Sequence, residues 1–303
     1  MKRHEQSISL IGFLILMILT LATGISVYMV MLHQTESLLS KSLATSLKNN
    51  AYLVESQIEQ GVEDTRMIST RPFIIDSLKR IESDNEDPKS RVDLQRIAQS
   101  FLSHGFRGVS FYDREDHALA SAGRFSHGPG FQASLDSKRR LFLIWDGQFI
   151  LHAKIEVLDN AGSRIGAVMT EVELPPLNNA FANLASIGKT GEFAICAPLG
   201  NDPGKMDCLL NRISGKEFQR VNRVIEDNAL PMNYALEGRA GIILAKDYRR
   251  RNVVAAYSPV GKLGLGMVLK IDQSELYSPI TEQLTYIAIL IAFLVILGGL
   301  LLY

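Results

Sequence analysis

The chain of 303 residues lacks any net charge, since 32 Lys and Arg residues balance 32 Asp and Glu residues. Without a basic excess it lacks the electrostatic footprint of a nucleic-acid binder, and no strongly acidic substrate is expected either. Cysteine is scarce, with only Cys196 and Cys208 present. No histidine lies near that pair, so the four ligands of a structural zinc site, or three plus water, are missing. His104, His117, His127 and His152 show no metal-ligand spacing, and no Gly-x-Ser-x-Gly nucleophile elbow occurs. No cofactor, metal or catalytic constellation is therefore expected. Proline is absent before Pro72, which leaves the first seventy or so residues free to form uninterrupted helix.

Long apolar runs, by contrast, are present. Ile8 to Leu32 contains no charged residue, and its roughly 25 residues exceed what a helix needs to cross a bilayer core of about 30 Å. A signal-peptide core is normally about 7–15 residues, so a retained membrane helix is expected. Lys2, Arg3 and His4 precede the run, which places residues 1–7 in the cytoplasm and the following loop outside. Beyond it, Leu39, Leu43, Leu47, Val54 and Ile58 recur at three-, four- and seven-residue steps, the stripe of an amphipathic helix. The expectation is one helix that leaves the membrane and continues as a stalk, with Leu39, Leu43 and Leu47 in a homodimer seam. A second uncharged run, Tyr286 to Tyr303, is about 18 residues, at the short end of a membrane span.

Helices and strands alternate between the runs in two blocks. Residues 33–105 read as helices, broken at Arg71-Pro72 and at an acidic loop from Glu82 to Pro88. From residues 106 to 174 the texture becomes strands: Val109 to Tyr112, His117 to Ala122, Arg140 to Trp145, Gln148 to Val157 and Arg164 to Leu174. Asp146-Gly147 signals a tight hairpin between the third and fourth of these. After Pro175-Pro176, a linking helix from Leu177 to Ile187 leads to a second sheet ending at residue 272. Its strands are Glu192 to Ala197, Gly241 to Lys246, Asn252 to Ser258 and Leu263 to Ile271. Leu199 to Lys205 reads as a loop and Glu217 to Glu226 as a helix. Residues 273–285 form a juxtamembrane helix. Cys196 and Cys208, outside the membrane in an even count, favour a disulfide, with two buried free thiols as the alternative.

This order resembles a double Cache sensor domain: two PAS-like antiparallel sheets stacked along a long N-terminal helix, an α+β fold between two transmembrane helices. Phe111-Tyr112-Asp113-Arg114-Glu115-Asp116-His117-Ala118-Leu119-Ala120-Ser121 is similar to the strand-turn-strand opening of a membrane-distal Cache sheet, and Gly166 to Leu174 to its closing strand. Gly188-Lys189-Thr190-Gly191-Glu192-Phe193 resembles the entry to the membrane-proximal sheet. Ala256 to Val260 followed by Leu265 to Asp272 resembles that sheet's last hairpin. The similarity covers roughly residues 34–284. It implies an extracytoplasmic ligand sensor in the inner membrane of a bacterium, with a periplasmic domain and a small-molecule pocket in the distal sheet. Receptors of this kind usually continue into a histidine kinase, a diguanylate cyclase or phosphodiesterase, or a chemotaxis transducer. The chain stops within its second apolar run, which reads as a truncated receptor or one that signals through a partner.

The amino-acid-binding subset of the family carries an Arg-x-Trp-Tyr motif and a downstream Tyr and Asp. Glu171 falls where that Asp would sit, but the motif is absent, so amino-acid recognition is not carried over. Charge and aromatic placement instead single out Tyr112, Arg140, Trp145, His152, Lys154 and Glu171 on or beside the distal strands. Arg or Lys would clamp a carboxylate and Trp or Tyr would form an apolar wall. The plainer reading is an exposed polar face with Trp145 in the core. Gly188-Lys189-Thr190 imitates the end of a phosphate-binding loop, but the glycine required five positions earlier is Asn183. Glu171 and Glu173 share a strand face, which could suit acid–base work, but a polar strand face is the commoner explanation. Arg249-Arg250-Arg251 reads as a solvated hairpin tip rather than a lipid contact. The rival to a sensor is an exported scaffold that binds a partner protein, marked by an exposed apolar patch and no distal pocket.

Overall fold

The computed structural model describes residues 2–83, 87–128, 130–136, 140–184, 188–210 and 218–302. Met1, Tyr303, the centre of the acidic loop, the end of the linking helix and the start of the expected helix at Glu217 lie outside the described residues. The first element is α1 (Lys2–Ser69), 68 residues without a break, and so about 100 Å long. It is followed by α2 (Pro72–Ser83) and α3 (Pro88–Leu102). Asp87 caps α3 by accepting hydrogen bonds from the Lys89 and Ser90 amides, with Pro88 supplying a first-turn residue that needs no N–H partner.

The distal sheet comprises β1 (Phe106–Tyr112), β2 (Ala118–Gly123), β3 (Phe131–Asp136), β4 (Leu141–Trp145), β5 (Phe149–Leu158) and β6 (Arg164–Glu173). They lie in the order β2-β1-β6-β5-β4-β3, all antiparallel. Helix α4 (Pro175–Leu184) leads to the proximal module of β7 (Glu192–Leu199), β8 (Asp202–Leu210), β9 (Phe218–Asn222), β10 (Val224–Ile225), β11 (Asn228–Ala229), α5 (Pro231–Leu236), β12 (Gly241–Lys246), β13 (Asn252–Val260) and β14 (Leu265–Asp272). Its main sheet runs β12-β13-β14-β7-β8-β9. Helix α6 (Gln273–Leu302) follows β14.

Three hairpins close on one device. The Oδ1 atoms of Asp113, Asp159 and Asp247 each accept two backbone N–H groups from the residues two and four further on, at 2.8–3.1 Å. The Asp146-Gly147 hairpin forms as expected, with Gly147 at φ 73°.

The stripe on α1 is the spine of the core. Leu43, Leu47, Ala51, Val54 and Ile58 are buried with Phe131, Leu143 and Leu151 of the distal sheet and with Phe193, Val254 and Leu269 of the proximal one. This corrects the expected dimer seam: Leu43 and Leu47 are 6% and 1% exposed and already partnered within the chain, while Leu39 is 38% exposed. Amphipathic periodicity shows that a face is buried, not which surface buries it.

Three further expectations change. Strand β3 lies in a stretch to which the sequence pattern assigns no element. Strand β8 begins at Asp202, inside the expected loop. In place of the expected helix from Glu217 to Glu226 come β9 and the β10–β11 hairpin, where Glu226 and Asp227 take φ values of 50° and 62°. The spacing of Phe218, Val221, Val224 and Ile225 mimics a helix. Edge pairing with β8 wins, reinforced across the strands by Arg220 on Asp207. Cys196 and Cys208 are direct register partners on β7 and β8, with Cα atoms 4.1 Å apart, and form a disulfide.

Among the described residues two helices are long and apolar enough to cross a membrane: the first part of α1 and α6. They lie side by side. A Cβ on Gly24 would stand 3.4 Å from Ile291 Cδ1, and Met31 and Ile280 line the same groove. Their outward faces expose Ile18, Leu19, Ile25, Met29, Tyr286, Ile289 and Phe293, which is unfavourable in water and ordinary in lipid.

Candidate functional site

Strand register decides which side chains share a face. Leu151, Ala153 and Ile155 of β5 pair with Val172, Thr170 and Val168 of β6. That face meets the stalk, where the Thr65 hydroxyl lies 2.7 Å from the Thr170 hydroxyl. The alternate residues turn outward. His152 pairs with Glu171 and Phe142, Lys154 with Met169, and Ala167 with Tyr112. Helices α1, α2 and α3 supply the inner core, and among the described residues no helix covers the outer face. The chain following β2 partly overlies it, bringing Phe125 against Gly108, where a Cβ would lie about 3.0 Å from the ring.

Two polar groups stand on this face. In the first, Glu171 is 1% exposed, and a carboxylate that deep requires partners. It receives hydrogen bonds from the Ser126 amide at 2.9 Å and hydroxyl at 3.1 Å, and pairs with His152 Nδ1 at 3.2 Å. In the second, Asp116 in the β1–β2 turn draws three cations together. Lys154 Nζ is 3.0 Å away, an Arg164 terminal nitrogen 2.5 Å and an Arg140 terminal nitrogen 3.2 Å. Partial burial opposes ionisation of Asp116, but Lys154 and Arg164 outweigh it and hold the carboxyl below its ordinary value. The Lys154 ammonium also sits 4.1 Å above the Tyr112 ring, and the Tyr112 hydroxyl points at Met169 Sδ, 3.6 Å away.

Of the residues singled out from sequence, Tyr112, His152, Lys154 and Glu171 therefore share one face, and Arg140 reaches its edge through Asp116. Trp145 does not. It lies on the inner side, packed on Phe149 at 4.8 Å and Phe181 at 5.5 Å between ring centroids, because Phe131, Trp145 and Phe149 are register partners on adjacent strands. Sequence reasoning missed Asp116, Ser126 and Arg164. Asp116 carried one signal, a polar residue in a turn where its φ of 68° is one that Asp tolerates.

A second buried charge group lies in the proximal sheet. Lys270 Nζ bridges Asp247 at 2.7 Å and Glu192 at 3.0 Å, and Tyr248 donates to Glu192 at 2.9 Å. Burial, then Glu192, pushes the Tyr248 phenol well above its usual pKa. The turn expected to be a solvated tip is divided. Arg249 folds inward onto Asp247 and Asp272, whereas Arg250 and Arg251 are exposed and pair with Glu226 and Asp272. Pairing with buried carboxylates is what draws Arg249 in. The Gly188-Lys189-Thr190 loop holds a carboxylate rather than a phosphate. Glu275, in the first turn of α6, accepts the Lys189 amide at 2.6 Å, the Thr190 amide at 2.7 Å and the Thr190 hydroxyl at 2.5 Å. Among the described residues no group of three or more His, Cys, Asp or Glu is placed to hold a metal.

No family model and no curated protein matches the sequence. Solved structures match in shape. The sensor domain of the V. cholerae histidine kinase DctB aligns with a TM-score of 0.50 at 12% identity, over 79% of this chain and 99% of that one. The periplasmic sensory domain of the Campylobacter jejuni chemoreceptor Tlp1 aligns with a TM-score of 0.52 at 10% identity, over 81% and 99%. At these identities the likeness to those two domains shows the fold alone.

Proposed function

We propose that this chain is the ligand-sensing part of a bacterial signalling receptor and binds a small solute outside the inner membrane. The observation that carries this reading is the outer face of the distal sheet. Tyr112, His152, Lys154 and Glu171 converge there without a helix to cover them, and a buried carboxylate and an ammonium stand on neighbouring strands. Such a face offers an acceptor end, a cationic end and an aromatic wall to one solute. The DctB and Tlp1 matches, from a kinase and a chemoreceptor, support the same class of work. Lys2, Arg3 and His4 support a cytoplasmic N-terminus, with both sheets in the periplasm.

The receptor acts as a homodimer, with its seam on the face of α1 opposite the core. Leu38, Ser42, Thr45, Asn49, Tyr52 and Ser56 recur there at four- and three-residue steps, all exposed. Solute that prefers one of two sheet arrangements biases them through the core shared with α1 and hence moves the stalk. A panel of amino acids, organic acids, amines and nucleobases screened by thermal unfolding tests the reading. A solute that stabilises the wild type should stabilise His152→Ala and Lys154→Ala far less. An equal shift in both variants would refute the site.

A further inference from the structure

Beside the outer face, β4 begins at Leu141 opposite Ala153, and among the described residues no strand pairs with that edge of β5 from Lys154 onward. A cleft of about 360 Å³ opens there, lined by Arg140, Lys154 and Arg164, by Glu156, and by Val62 and Arg66 of the stalk helix. Four cations thus meet one lining carboxylate, and Asp116 adds a second from the turn above. Glu63 offsets Arg66 at 3.2 Å on the exposed helix surface, and the cations remain in excess. The Arg164 Nε, although buried, has no hydrogen-bond partner among the described residues, and Glu156 stands 3.6 Å from it.

We infer that this cleft binds a compact polyanion, a solute with at least two carboxylate or phosphate groups, and that Asp116 occupies part of that site when solute is absent. The inference rests on the sensing role proposed above and names the class of ligand. The geometry favours more than one negative group. A single carboxylate, that of Asp116, already engages Lys154, Arg164 and Arg140 together. A monoanion would only replace it. A polyanion would also bring charge to Arg66, at the unfilled end of the cleft, which four separate cations favour. Asp116 is suited to yield because it sits in an exposed five-residue turn rather than in a strand. Contact with Arg66 would join the solute directly to α1, the element that continues into the membrane.

The test uses the full chain in lipid nanodiscs, with citrate, succinate, inorganic phosphate, acetate and glycine compared at constant ionic strength by calorimetry and thermal unfolding. Citrate, succinate or phosphate should bind and raise the unfolding midpoint, while acetate and glycine should not. Phosphate alone would mark a phosphorylated solute, and the organic acids alone a polycarboxylate. Asp116→Asn removes the competing carboxylate and should tighten binding by about tenfold. Arg66→Gln, at an exposed position on the helix surface, should weaken it by about tenfold. Weaker binding in Asp116→Asn, unchanged binding in Arg66→Gln, or no polyanion binding to either wild type or Asp116→Asn would overturn the inference. If an uncharged or zwitterionic solute binds instead, and His152→Ala abolishes it, the inference fails while the sensing role stands.

Discussion

Replacing Glu275 by Ala removes the carboxylate that fastens the first turn of α6 to the loop entering the proximal sheet. Three hydrogen bonds are lost, from the Lys189 amide, the Thr190 amide and the Thr190 hydroxyl. Bonds to a charged group contribute about 1.5–3 kcal/mol each, but the Lys189 amide is exposed and recovers a water. The net cost is therefore about 2–4 kcal/mol, or roughly 4–16 °C in the unfolding midpoint of a unit of this size. Burial opposes ionisation of Glu275, yet the Thr190 hydroxyl and the Lys189 and Thr190 amides overcome it and lower the carboxyl below its ordinary value. A depressed folded-state pKa adds stability above the unfolded value, about 4.3 for Glu, and that stability disappears as pH falls through the folded value. The gap between wild type and Glu275→Gln should accordingly be full at neutral pH and shrink below about pH 4. Thermal unfolding across pH, with hydrogen exchange at the Lys189 and Thr190 amides, measures both effects. The reasoning is refuted if Glu275→Ala melts with the wild type and those amides exchange no faster. Gly188 belongs to the same joint: at φ 71° a Cβ would lie 2.7 Å from Glu275 Oε1.

Lys270→Met should destabilise the proximal module by about 3–5 kcal/mol, because Glu192 and Asp247 would stay buried without their shared cation; denaturant melts measure this, and a loss under 1 kcal/mol would contradict the network. Cysteines placed singly at Leu38, Thr45 and Tyr52 should form intermolecular disulfides in membranes, while one at the buried Leu47 should not; crosslinking at 47 but not at 52 would reverse the seam.

Much of the architecture was legible because its signals are long. The run from Ile8 to Leu32 and the stripe from Leu39 to Ile58 specify a continuous rod without any tertiary information. Asp146-Gly147 likewise specifies its turn locally. What failed depended on partners. Leu43 and Leu47 have the same spacing whether a second copy or the chain's own sheets cover them. Strand β9 lies on an edge where pairing, not pattern, chooses strand over helix. The outer face was half legible. Alternation places His152 and Lys154 on one side of β5, but only register across strands adds Tyr112 and Glu171 to that side and removes Trp145. Ser126 reaches Glu171 across 45 positions and Arg164 reaches Asp116 across 48, beyond the reach of any local pattern.

The most direct test of an extracytoplasmic sensor is labelling from outside the cell. Leu244, 54% exposed on β12, offers a site for a single introduced cysteine, since the native pair is joined in a disulfide. Leu244→Cys should react with a membrane-impermeant maleimide in cells whose outer membrane is permeabilised and whose inner membrane is intact. Reaction only after the inner membrane is broken would put both sheets in the cytoplasm and contradict the account.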